Sequence, residues 1–157
     1  MKFFSLSIFI LLATSSFSQS KRTFSYSDSA FVKGQKHTMY LLYQLGRAGL
    51  DSLSMPTIDS LKNFLVSHPK ISLEIGGHSD SRAKPSRSIH LSYARAQSIK
   101  DSLVKKGIDE KRLSAKGYEG TQLLFTDEMI RRQKTKQAQE ELHAKNRRTV
   151  LTITSVD

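Results

Sequence analysis

The sequence predicts an α+β domain in which helices cover one face of a mixed four-stranded sheet. Three patterns carry that expectation. Ile71, Leu73 and Ile75 alternate with Ser72 and Glu74, the period of a half-buried strand. Ser92, Ala96, Ile99 and Leu103 recur at spacings of four, three and four, the stripe of an amphipathic helix. Thr149 to Thr154 is a β-branched run with alternation, and reads as a closing strand.

Taken in order, the chain opens with Met1-Lys2, an apolar run from Phe3 to Leu12, and the small, polar stretch Ala13-Thr14-Ser15-Ser16-Phe17-Ser18. Ser16 and Ser18 fit a small-x-small cleavage rule before Gln19, so residues 1–18 are expected to be a secretory signal peptide. Its apolar run is about half the ~20 residues that span a bilayer; a buried N-terminal helix is the competing reading. Residues 19–36 are polar, with a weak alternation at Phe24 and Tyr26, and read as a linker or edge strand. Residues 37–157 are expected to form the folded domain.

Within that domain, Met39-Tyr40-Leu41-Leu42-Tyr43 suits a largely buried strand. A helix opens near Ser54 and Pro56, where the missing N–H of proline costs nothing. It carries Ile58, Leu61 and Leu65 at helical spacing and stops at Pro69. The alternating strand at Ile71 to Ile75 is closed by Gly76-Gly77. A helix then runs from about Ser86 to Lys106, ended by Gly107. Leu113 and Ala115 mark a short strand ending at Gly117. Asp127 to Lys145 is helix-forming, charged and poorly amphipathic, which suits a peripheral helix or insertion. With the closing strand, the order is strand, helix, strand, helix, strand, helix, strand.

The 157 residues include 25 Lys and Arg against 14 Asp and Glu, a formal charge of +11. That excess favours anionic partners: nucleic acid, an acidic membrane surface or a carboxylate-rich polymer. An exported protein has little access to nucleic acid, so no nucleic-acid role is expected. The sequence has no cysteine, hence no disulfide, no cysteine metal ligand and no N-terminal cysteine to carry a lipid. No further apolar stretch approaches membrane length, so the mature chain is expected in the periplasm, without a transmembrane segment.

The densest polar cluster is His78-Ser79-Asp80-Ser81-Arg82, directly after the alternating strand. Asp80 falls where the chain leaves the sheet. Arg95 falls on the next helix, with Leu91 and Ser92 before it and Ile99 after it, at the edge of the packed face. A strand end and the following helix can bring these two charges to one small pocket. One negative and one positive group suit a zwitterion such as a free α-amino acid head. Each charge-assisted contact would contribute roughly 1.5–3 kcal/mol before ordering costs. An aspartate after a strand is also commonly a turn or cap residue. Spacing does not separate a ligand pair from an internal salt bridge.

Four stretches in order resemble the signature of the OmpA-like domain family. They are Ile75-Gly76-Gly77-His78-Ser79-Asp80 with Leu91-Ser92-Tyr93-Ala94-Arg95-Ala96, then Gly107-Ile108-Asp109, Arg112-Leu113-Ser114-Ala115-Lys116-Gly117-Tyr118, and Asn146-Arg147-Arg148. The resemblance covers roughly residues 38–155. It implies a βαβαβαβ sandwich that holds peptidoglycan non-covalently. By the same resemblance, Asp80 takes the ammonium of diaminopimelate in the stem peptide, Arg95 takes its carboxylate, and Arg147 stands at the rim. Arg82 and Ser88 complete the candidate set. The chain departs from the family pattern at Ala83, often Gly, at Ser88, usually Asn, and at Ser79, usually Thr. Ser88 keeps a hydrogen-bonding group with shorter reach.

No enzymatic constellation is evident. Consecutive His78, Ser79 and Asp80 on extended backbone point to opposite faces and cannot form a triad by themselves. There is no G-x-S-x-G elbow, no H-E-x-x-H pair and no phosphate-binding glycine loop. No cofactor and no metal are expected. The basic run Arg131-Arg132-Gln133-Lys134-Thr135-Lys136 reads as a solvated face, or as an attraction to anionic surfaces. The leading expectation is a non-enzymatic peptidoglycan-binding module. The alternative is an envelope adaptor of the same fold that binds another protein, such as an outer-membrane partner, instead of the wall.

Overall fold

The computed structural model describes residues 22–43, 48–82 and 85–157, the side chains of 85–90 excepted. The signal-peptide reading of residues 1–18, Ala83, and the side chain of Ser88 therefore lie outside the described residues. The elements run β1 (Lys36–Met39), α1 (Met55–Ser67), β2 (Ser72–His78), α2 (Pro85–Lys105), β3 (Leu113–Glu119), α3 (Asp127–Arg131), α4 (Lys136–Asn146) and β4 (Thr149–Ser155). The sheet order is β1-β4-β2-β3. β2 and β3 are parallel, and β4 runs antiparallel to both β1 and β2. This is the mixed four-stranded sheet with packed helices that the periodicities predict.

The core follows directly from those periodicities. Leu73, Ile75, Leu151 and Ile153 of the central strands meet Ile58, Leu61 and Leu65 of α1 and Ala96, Ile99 and Leu103 of α2, all fully buried. Arg112 joins the layers: its guanidinium donates to the carbonyls of Leu65, His68 and Ile71. It thereby satisfies the open C-terminal end of α1 and ties it to the start of β2.

The glycines of β2 do something other than end the strand. β2 continues through Gly76 and Gly77 to His78. A Cβ on Gly77 would lie 2.1 Å from the carbonyl oxygen of Ser92, and one on Gly117 would lie 2.7 Å from Ser92 Oγ. The two glycines let the backbone of α2 settle on the backbones of β2 and β3.

Two further elements differ from the sequence reading. β1 lies before the aromatic stretch, and Tyr40 and Leu42 are 58% and 57% exposed. An edge strand pairs on one side only, and past Met39 the chain leaves β4. There Ser54 Oγ accepts from Leu42 N at 2.7 Å and donates to Leu42 O at 3.0 Å, pinning the departing segment to the start of α1. The charged stretch from Asp127 is two helices. Thr126 and Thr135 each accept a backbone N–H as N-caps of α3 and α4, and the second cap breaks the run.

Residues 22–35 are tied to the domain. Thr23 bridges Lys36, and Phe24, 3% exposed, stacks on Phe64 and meets Phe31 edge-on. Tyr26 also stacks on Phe64, and burial pushes its phenol up.

A methyl at position 77 has backbone in its way, and overpacking of that kind destabilises by typically 1–3 kcal/mol. We expect Gly77→Ala to cost at least about 2 kcal/mol in chemical denaturation. Gly107→Ala, where φ is +91° and the space is open, should cost only the left-handed strain, about 1 kcal/mol. Equal losses at the two positions would contradict the close approach.

Candidate functional site

Asp80 sits where β2 gives out, in a loop held from three sides. His78 N donates to Arg148 O at 2.9 Å, Ser79 N donates to Glu119 O at 2.8 Å, and Ser81 Oγ donates to the Asp127 carboxylate. The side chain of Asp80 is consequently buried, with the residue 6% exposed. Its Oδ1 accepts from Arg82 N at 3.1 Å. Its Oδ2 accepts from Arg82 Nη2 at 2.8 Å and Arg147 Nη1 at 2.6 Å. Glu140 of α4 closes the ring, accepting from Arg82 Nη1 at 2.7 Å and Arg147 Nη2 at 2.8 Å. Two carboxylates and two guanidiniums thus alternate around a charge-neutral network.

Burial pushes the Asp80 carboxyl up, but its hydrogen bonds to Arg82 and Arg147 outweigh that and hold it below the usual carboxylate range. Hydrogen bonds from the same two arginines hold the Glu140 carboxyl down at about 2. His143, one turn after Glu140, brings Nδ1 to 4.0 Å from Asp80 Oδ2.

Arg95 occupies different surroundings. Its guanidinium lies 4.5 Å from the centre of the Tyr43 ring, and its Nε is buried with no hydrogen-bond partner. Burial lowers its pKa, Tyr43 opposes that shift, and the nearby charge of Arg147 adds to it. Among the described residues no carboxylate pairs with Arg95. Tyr43 is itself fixed by a hydrogen bond shared with Thr149 Oγ1 at 3.3 Å.

Arg95 and Arg147 line a cavity of about 670 Å³ together with Tyr40, Leu41, Leu42 and Tyr43. The apolar stretch that the sequence assigns to a buried strand is therefore a cavity wall. Of the sequence candidates, Asp80, Arg82 and Arg147 meet in one network, and Arg95 and Arg147 meet in one cavity. Asp80 does not line that cavity; Arg147 links the two. Ser88 contributes no described side chain.

Sequence reasoning missed Glu140, His143 and Tyr43. A signal existed on α4, where Glu140, His143 and Arg147 repeat at spacings of three and four, a polar stripe on one helical face. Searching for apolar stripes alone conceals such a face. The motif Asn146-Arg147-Arg148 also divides its labour. Asn146, fully buried, bonds the backbone of Leu124 and Phe125, and Arg148 donates to Asn146 O and Gln122 O. Only Arg147 enters the charged network.

Fold and site together define a single α+β module with a charged cavity beside the exits of its central strands. The family model described as the OmpA family matches residues 42–147, and the chain belongs to that family. Among curated relatives, outer membrane porin F of Pseudomonas fluorescens is 34% identical over 61 residues, 39% of this chain. The match spans 19% of that relative's length. Among solved structures, the cell wall anchor of the T6SS from Pseudomonas aeruginosa superposes with a TM-score of 0.61 at 25% identity. That match covers 76% of this chain and 80% of that one. The periplasmic domain of Helicobacter pylori MotB gives 0.63 at 15% identity over 82% and 80%. The peptidoglycan-associated lipoprotein of Burkholderia pseudomallei gives 0.58 at 17% over 73% and 88%. Among the described residues, no helix is long and apolar enough to cross a membrane.

Because both carboxyls are held low, they stabilise the fold at neutral pH, and that contribution is lost as pH falls through their folded values. For Glu140 the window runs from its ordinary 4.5 down to about 2. Thermal unfolding followed across that interval should show stability falling with acidification. The slope should be shallower in Glu140→Gln. Identical slopes in the two proteins would contradict the ring.

Proposed function

We propose that this chain is a non-enzymatic envelope protein that binds peptidoglycan through the amino-acid head of a diaminopimelate-type stem peptide. The observation that carries the reading is Arg95, a desolvated guanidinium over Tyr43 that no described carboxylate neutralises. A ligand carboxylate there would form charge-assisted, bidentate hydrogen bonds in surroundings that strengthen them. Arg147, on the same cavity, gives it a second donor.

The ammonium of the same head goes to Asp80. In this structure both arginine partners already occupy Asp80 Oδ2. An incoming ammonium therefore exchanges for one guanidinium, and Glu140 keeps the displaced arginine paired. Arg82 is half exposed, so it is the partner with room to leave. Ser88 acts as an added polar contact from the start of α2. Supporting this assignment are the family membership and the names of two structural neighbours, a cell wall anchor and a peptidoglycan-associated lipoprotein. The signal-peptide pattern of residues 1–18 supports a periplasmic location, in association with the outer membrane.

The exposed apolar side chains Tyr40, Leu42 and Leu53 favour a second reading, an adaptor that receives a protein partner beside the same cavity.

Co-sedimentation with purified peptidoglycan decides between them. The wild-type chain should pellet, and Arg95→Ala and Asp80→Ala should each reduce binding at least about tenfold, the loss of one charge-assisted contact. Wild-type pelleting that both variants retain would overturn the clamp. No pelleting of wild type, with saturable binding to an outer-membrane protein, would favour the adaptor.

A further inference from the structure

The face of the sheet turned away from α1 and α2 carries a second cavity, of about 350 Å³. Its walls follow from strand register. Lys36 pairs with Thr152, and Thr38 pairs with Val150, so these four side chains form two adjacent rows across β1 and β4. Val150 in turn pairs with Gly76 of β2, whose missing side chain leaves room for the Tyr118 ring, 2.9 Å from where a Cβ would stand. Arg22 is held beside Lys36, whose N–H donates to Arg22 O at 3.0 Å. Arg148 and His78 also line the cavity.

The charge of this cavity is one-sided. Arg22, Lys36 and Arg148 line it, and among the described residues no acidic one does. Glu74 stands in the same cross-strand row as Lys36, with Thr152 between them, and its carboxylate accepts the Tyr118 hydroxyl at 2.6 Å. It keeps its negative charge, which leaves the three cations and Glu74 with a net excess of two positive charges. Arg148 is 8% exposed and pairs with no described carboxylate; it donates only to the carbonyls of Asn146 and Gln122. A guanidinium has five N–H donors, so several remain available. His78, 5% exposed and stacked on Tyr118 with centroids 5.0 Å apart, has a buried Nδ1 with no hydrogen-bond partner. Burial, together with the charges of Arg148 and Lys36, pushes its pKa down to about 4, so it is a neutral imidazole at pH 7.

We propose that this cavity binds a phosphate group, with Lys36, Arg22 and Arg148 supplying positive charge and His78 a hydrogen bond. Against the net excess of two positive charges, a single ligand carboxylate would leave one uncompensated. A phosphate monoester carries about −1.5 to −2 at neutral pH and offers three acceptor oxygens, and is the better match in charge and in donors. The site is separate from the Arg95 cavity but shares His78 and Arg148 with it, so the two stand on either side of a common wall. A soluble compound and a lipid headgroup present the same phosphate chemistry to this cavity.

The test titrates inorganic phosphate into the isotope-labelled chain by NMR at constant ionic strength, with vesicles of equimolar phosphatidylcholine and phosphatidic acid in a parallel flotation assay. We expect saturable shifts at Thr38, His78 and Thr152, with affinity in the millimolar range for the bare ion. Lys36→Gln should weaken that affinity about tenfold, and Arg22→Gln should weaken it less. Both are surface substitutions that leave the fold intact, which Arg148→Gln, at a buried position, need not. Flotation that depends on Lys36 identifies a lipid headgroup as the source; phosphate binding without flotation identifies a soluble one. Shifts that do not saturate, or that scatter over the surface, mean an adventitious ion only and overturn the proposal. An unchanged affinity in Lys36→Gln overturns it equally.

Discussion

Helix α2 rests backbone on backbone against β2 and β3, and the positions of Asp80 and Arg95 follow from that contact. Ser92 lies over Gly77 and Gly117 at distances where any Cβ would collide. Because the contact involves main chain, α2 has little freedom to slide or roll, and Arg95, three residues beyond Ser92, is delivered to a fixed height above the sheet. The same geometry brings the end of β2 close to the first turns of α2. Asp80 is thereby confined to a short loop, which Glu119, Asp127 and Arg148 hold in place.

The charges in this frame are arranged unequally. Asp80, Arg82, Glu140 and Arg147 balance one another in a closed ring of hydrogen bonds. Arg95 stands apart, against the face of Tyr43. A cation over an aromatic ring gains roughly 0.5–2 kcal/mol, which offsets only part of the cost of taking a guanidinium out of water. Arg95 is therefore left without a paired carboxylate among the described residues. Lys145, Arg147 and Arg148 also line its cavity, to which Glu141 brings the one acidic side chain described there. A buried cation without an anion is a demand for one, and the same logic holds on the far side of the wall at Arg148. Arginine suits both positions because it stays charged where a lysine ammonium would shed its proton on burial.

The elements most legible from sequence are those whose side chains face the core. The alternation at Leu73 and Ile75 and the stripe Ser92, Ala96, Ile99 and Leu103 follow from burial of one face, and burial repeats with the period of the backbone. The less legible ones have another environment on their apolar or polar side. Met39 to Tyr43 reads as a strand because its side chains are apolar, yet beyond Met39 they wall a cavity, and only Leu41 of them also packs against the core. The stretch from Asp127 reads as one poorly patterned helix because its ordered face is charged, being directed at Asp80. Gly76-Gly77 reads as a strand end, since sequence does not reveal that a helix backbone will lie on it.

The sequence by itself determined the class of fold, the central strands, the two long helices and most of the core, because these depend on local period and residue type. Residue type and placement also single out Asp80, Arg82 and Arg95, whereas Arg147 enters the charged set only through the family resemblance. Only the tertiary structure decided how the charges are partnered: that Arg147 sits on Asp80, that Glu140 closes the ring, and that Arg95 faces Tyr43. Such pairings join residues up to 67 positions apart. They are set by where α4 and the segment before α1 come to rest against the sheet ends, and no local pattern encodes that.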